Sequence, residues 1–155
     1  MLVHLLTHPM FPLFGLLAPI FFLQICLLIL SRLGGWHELA RAFPVKPFFQ
    51  GETWRFKGFR INSWCAYNNM VTMTANFEGV QFFMPLLFRS GHDPIFIPWT
   101  EMKTSNDLLL FGLLAVVKID LKSCPSNTLW MAKSLFEEIR NASLKKSSGD
   151  SLEWH

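Results

Sequence analysis

No Asp, Glu, Lys or Arg occurs in the first 31 of the 155 residues. Over the whole chain charged residues make up 16%, the formal net charge is +3, and no clustered basic stripe is present. That excludes a nucleic-acid binder of the electrostatic kind. Cysteine occurs three times, at Cys26, Cys65 and Cys124, with no Cys-x-x-Cys spacing, so neither a disulfide framework nor a zinc ribbon is written here. A phosphate-cradling glycine loop, a pair of catalytic carboxylates and a serine nucleophile elbow are all missing. Of the reactive-looking residues, His92-Asp93 sits in a turn cluster with no nucleophile or third ligand nearby in sequence. The chain therefore reads as non-enzymatic, with no cofactor, metal or small-molecule substrate evident.

What the charge-free start does contain is an apolar run, Met10 to Leu30 (MFPLFGLLAPIFFLQICLLIL). As a helix it extends about 30 Å, the hydrocarbon thickness of a bilayer. A secretory signal fits poorly: the leading MLVHLLTHP has no basic residue and no small-residue cleavage site follows. A lipoprotein box before Cys26 fails on Gln24 and Ile25, and a chain this small cannot wrap a soluble core around so long a helix. The sequence thus predicts one transmembrane helix over 10–33, with Pro12 in its first turn and Pro19 as a kink.

Between Arg32 and Arg60 the chain carries six basic residues against Glu38 and Glu52, net +4, while the amino-terminal flank carries none. The positive-inside bias then puts residues 1–9 outside and the bulk in the cytoplasm. There the sequon Asn141-Ala142-Ser143 has no meaning. His4 and His8 share one helix face at the outer edge and are read as interfacial anchors rather than ligands. After the span, Trp36, Leu39, Ala40 and Phe43 form one stripe of a two-turn helix that Pro44 ends. Two readings are open: a helix lying in the headgroup layer, with Trp36, Arg32 and Arg41 as interfacial anchors, or a stripe packed on the following domain. Residues 45–51 read as a linker.

From Glu52 the period falls to 2. Val71, Met73, Ala75 and Phe77 alternate with polar residues, Glu78-Gly79 is a turn, and Val80, Phe82 and Met84 return, so a hairpin is expected. Ile95, Ile97 and Trp99 follow a turn at residues 90–94, and Thr104–Asp107 looks like a break. Leu108 to Val117 reads as one buried strand bent at Gly112, continued by Ile119 and Leu121. A helix capped at Ser126 or Asn127 carries Leu129, Ala132, Leu135, Phe136 and Ile139 on one stripe. The prediction is an α+β chain: the membrane helix, a juxtamembrane helix and linker over 34–51, and a β domain over 52–144. That domain is a small, mainly antiparallel β-barrel or curled sheet of six or seven strands with a carboxy-terminal amphipathic helix, followed by a disordered tail over 145–155.

The segment Ile97-Pro98-Trp99-Thr100-Glu101-Met102 resembles the i-P-W-x-x-I strand of bacterial pleckstrin-homology-like domains. Gly35, Trp36, Leu39 and Ala40 are similar to a G-W-x-x-L-A segment of uncharacterised bacterial single-pass membrane proteins. The resemblance covers about residues 34–141 and implies a β-barrel or curled sheet of about seven strands capped by a helix, in the bacterial inner membrane. It implies no ligand. With 16 Phe and 6 Trp in the whole chain, a small domain must leave some rings exposed. The functional expectation is a membrane-anchored interaction module, an accessory or scaffold subunit that binds a membrane-protein partner at the cytoplasmic face. The alternative is recognition of anionic lipid headgroups through Arg55, Lys57 and Arg60.

Overall fold

The computed structural model describes residues 11–109 and 114–149. His4 and His8 lie outside them, as do the rest of 1–9 and the end of the tail. Helix α1 (Phe11–Leu33) and the short helix α2 (Trp36–Ala42) lead into seven strands and a last helix. The strands are β1 (Glu52–Ile61), β2 (Cys65–Ala75), β3 (Gly79–Phe83), β4 (Ile95–Pro98), β5 (Met102–Leu109), β6 (Leu114–Leu121) and β7 (Thr128–Ala132), followed by α3 (Lys133–Gly149).

All seven strands form one antiparallel sheet in the order β4-β3-β2-β1-β7-β6-β5. The two edge strands, β4 and β5, are separated in sequence only by a 3₁₀ turn at Trp99–Glu101. Edges that far apart in the ladder can be joined by so few residues only if the sheet curls round, and it does, into a half-barrel. Irregularities in β1 supply part of the curl: its pairing with β2 shifts between Trp54 and Lys57 and again between Lys57 and Phe59, with Phe56 at φ 54°. Such bulges bend and twist a strand locally.

The inner face follows the two-residue period. Ile61, Tyr67, Val71, Met73, Phe82, Ile95, Ile97, Ile119 and Leu129 are buried. Helix α3 closes over this core with Leu135, Phe136 and Ile139, and the Trp54 indole N–H on β1 donates to Glu138 Oε1 at 2.9 Å. Helix α2 closes it from the other end with Trp36, Leu39 and Phe43.

Several boundaries differ from the sequence reading. The polar stretch Thr104–Asp107 is the middle of β5, paired residue by residue with Ile119 to Val116. As an exposed edge strand it needs no apolar alternation. The run from Leu108 is not one bent strand: Leu108 and Leu109 belong to β5 and Leu114–Val117 to β6, and the two strands pair antiparallel. Thr128–Ala132 is a strand, with Leu129 and Met131 inward, and helix begins only at Lys133. That helix continues to Gly149, past the expected start of a disordered tail at Lys145. The supposed linker is tied to the sheet: Lys46 Nζ donates to Glu78 Oε1 at 2.5 Å and Gln50 O accepts from Asn76 Nδ2 at 2.9 Å.

Among the described residues no single helix is long and apolar enough to cross a membrane. The stretch Leu17–Leu33 reaches that length only together with Trp36–Ala42, from which it is bent by 64°.

Candidate functional site

Two regions concentrate what the fold leaves unexplained: the junction between α1 and the sheet, and a groove on the far side.

At the junction, Gly34 and Gly35 break the helix. Gly35 adopts φ 90°, and a Cβ there would stand 2.2 Å from Asn127 Oδ1. The close approach serves a network of amides. Asn62 Nδ2 donates to Asn127 Oδ1 at 3.1 Å, and Asn127 Nδ2 donates to Glu38 Oε2 at 2.8 Å. The N–H of Thr128 donates to Asn62 Oδ1 at 3.1 Å. Helix α2 is thereby tied to the β1–β2 turn and to the start of β7.

Beneath the break lies a buried aromatic cluster. Trp36 has ring centroids 5.2 Å from Tyr67, 5.1 Å from His92 and 5.8 Å from Phe59, and its indole N–H donates to Asp93 O at 2.8 Å. His92 is fully buried. Its Nδ1 faces the Ser90 carbonyl at 2.9 Å, so Nδ1 donates and Nε2 accepts from the Tyr67 hydroxyl at 3.1 Å. Burial holds the His92 imidazole below its ordinary pKa and pushes the Cys65 thiol and the Tyr67 phenol above theirs. All three are neutral at pH 7, which suits a structural rivet and leaves no activated nucleophile.

One side of α1 rests on the β3–β4 connection. Leu23, Gln24, Leu27, Leu30 and Ser31 make the covered stripe, three and four residues apart. Gln24 Nε2 donates to Leu87 O at 3.1 Å, Ser90 Oγ donates to Gln24 Oε1, and Ser31 Oγ donates to Gly91 O. Gly91, at φ 72°, lets the loop press against Leu28 and Ser31. The opposite side of the helix is bare: Leu17, Ile20, Phe21, Phe22, Ile25 and Ile29 are exposed, Phe21 and Phe22 at 69%.

The groove lies between α3 and the β5 edge, with a volume of about 370 Å³, walled by Phe77, Trp99, Met102 and Phe136 and with Arg140 at its rim. The Trp99 indole N–H is spent on Asn76 O at 2.8 Å, which fixes the ring's edge and leaves its apolar body to the wall. Beside the groove, β5 pairs with β6 on one edge and has no strand on the other among the described residues.

The residues singled out from sequence fall in several places. Trp36 is in the core, which leaves it no surface for headgroups, so its stripe is the packed one. Arg32 and Arg41 are exposed in the last turns of α1 and α2. Arg55, Lys57 and Arg60 are strung along the irregular stretch of β1, the first and last at most about 16 Å apart at the rise of an extended strand. Only Arg60 is at the junction end, where its guanidinium donates to Ser63 O at 3.4 Å. Sequence reasoning missed Arg140 and the groove, because its walls come from four separate elements. It also missed the Tyr67–His92 bond, for which a histidine in a turn cluster gives no signal.

Among the described residues no group of three His, Cys, Asp or Glu side chains is placed to hold a metal ion. No protein-family model, curated protein or solved structure matches the chain.

Proposed function

We propose that the chain is a membrane-anchored, non-enzymatic interaction module. Helix α1 sits in the bilayer with its amino terminus outside, and the half-barrel is held at the cytoplasmic face to bind a protein partner. The observation that carries this reading is the bare side of α1, a charge-free apolar surface over at least four turns whose reverse side is latched to the domain. Contiguous apolar surface of that extent in a water-facing position is rare and marks an interface. Basic residues at the end of the helix and after it, Arg32 and Arg41 first, support the orientation. The strand order and the closing helix support the pleckstrin-homology-like reading of the domain.

The groove is the surface best suited to the partner. An extended segment laid along the outer side of β5 gains main-chain hydrogen bonds, sets an apolar side chain against Trp99 and Phe136, whose rings meet edge to face at 6.2 Å, and pairs an acidic residue with Arg140. Arg55, Lys57 and Arg60 are spread along one strand and none of them lines the groove, so lipid recognition through all three is the weaker reading.

The membrane reading is tested by fractionation: the full chain should stay in the membrane pellet after carbonate washing, and its release into the supernatant rejects the anchor. For the groove, a photo-crosslinking residue in place of the exposed Phe77 should yield a discrete adduct in membranes that Arg140→Glu abolishes. An adduct indifferent to Arg140 rejects the groove as the binding surface.

A further inference from the structure

We infer that the β3–β4 loop is a second membrane-entering element, a wedge carried beside α1 whose tip, Leu86 and Leu87, lies in bilayer hydrocarbon. The inference rests on the anchor reading of α1 and adds a contact which that reading does not need.

The loop's height along α1 is fixed by hydrogen bonds. Ser31 meets Gly91 near the base, and Gln24 meets Leu87 and Ser90 two turns further from the sheet. Gln24 precedes Arg32 by eight residues, about 12 Å along the axis. If Arg32 marks the headgroup level, the backbone of Leu87 lies about that far toward the hydrocarbon, comparable to the 5–10 Å reached by interfacial segments.

At that depth an irregular backbone is tolerated only if its polar groups are paired. This loop is wound into a 3₁₀ turn that pairs part of them internally: Phe88 N donates to Pro85 O at 2.9 Å, Arg89 N to Leu86 O at 3.3 Å, and His92 N to Arg89 O at 2.9 Å. The Leu87 carbonyl is taken by Gln24, and Pro85 brings no N–H. The arrangement also answers why a glutamine stands in the middle of the apolar run: both ends of its amide are used by the loop.

The side chains at the tip point away from the protein. Leu86 is 86% exposed and Leu87 55%, while Phe88, the next residue, packs back on the core. Two adjacent leucines held out by an ordered turn, at the level of a charge-free helix, match hydrocarbon. Arg89 is exposed beside them, long enough to carry its guanidinium back to the headgroups.

Depth-dependent quenching in vesicles tests the inference on the full chain. Cys26 and Cys124 are replaced by serine and the buried Cys65 is kept, and a fluorophore is attached to one new cysteine at a time, from Leu86→Cys, Phe22→Cys or Phe77→Cys. The protein is placed in phosphatidylcholine vesicles containing lipids with a spin label on an upper acyl carbon. The label at 86 should emit at shorter wavelength and be quenched as the label at 22 is, while the label at 77, beyond the opposite end of β2, stays unquenched. A water-exposed label at 86 with a quenched label at 22 overturns the wedge and leaves the anchor standing. An unquenched label at 22 overturns both. Emission from 86 that is shifted but unquenched means that a second copy covers the loop, which also overturns the lipid contact.

Discussion

His92 shows how much one side chain is asked to do at the joint. It is buried among Trp36, Tyr67 and the Ser90 carbonyl, with the Asp93 carboxylate nearby, and desolvation holds its pKa below the ordinary 6.5. The unfolded chain therefore takes up a proton that the folded chain refuses. The site's contribution is complete above about pH 6.5 and is lost as pH falls through the lower, folded value. Denaturant midpoints measured from about pH 7.5 down to 5 should fall, and His92→Gln should flatten that slope. Gly35 makes a sharper case. An added Cβ meets a carbonyl oxygen at 2.2 Å in a left-handed backbone, so Gly35→Ala should cost at least about 2 kcal/mol, seen as a Tm lower by about 4–8 °C. Gly15→Ala, inside helix α1 with nothing within 4 Å, should not lower Tm.

Among the elements, α3 is the one whose packing can be tested most simply. Ile139→Ala removes a fully buried side chain from under the sheet and should cost about 2–4 kcal/mol, whereas the exposed Glu137→Ala should stay within about 0.5 kcal/mol, both by chemical denaturation. Trp54→Phe keeps an aromatic ring but loses the bond to Glu138 and part of the buried volume, for at least about 1 kcal/mol. Period and turn signals made the second half of β2, β3, β4 and most of β6 legible, because their apolar residues alternate in sequence with polar or aromatic ones. Strand β7 was hidden because Leu129 and Ala132 also fit the spacing of the helix that follows. Strand β5 was hidden because an exposed edge can be polar throughout. The junction and the groove were not legible at all: Asn62 and Asn127 are 65 residues apart, Gln24 and Leu87 63, and no local pattern records such pairings.

Over the whole molecule, the apolar side of α1 and the core of the half-barrel are separable. A chain lacking residues 1–33 keeps Trp36, the sheet and α3, so it should fold and appear in the soluble fraction, where the full chain pellets with membranes. It should also melt at a lower temperature, having lost the contacts of Leu27, Gln24 and Ser31 with the loop. The Gly34-Gly35 break looks like a hinge on paper, yet Asn62, Asn127 and Glu38 lash one side of it and the β3–β4 loop lashes the other. A joint tied on two sides has no swivel. A tilt or turn imposed on α1 therefore swings the Arg140 groove through the same angle, so the helix acts as a handle: whatever leans on its outer side re-aims the surface at the far end of the sheet.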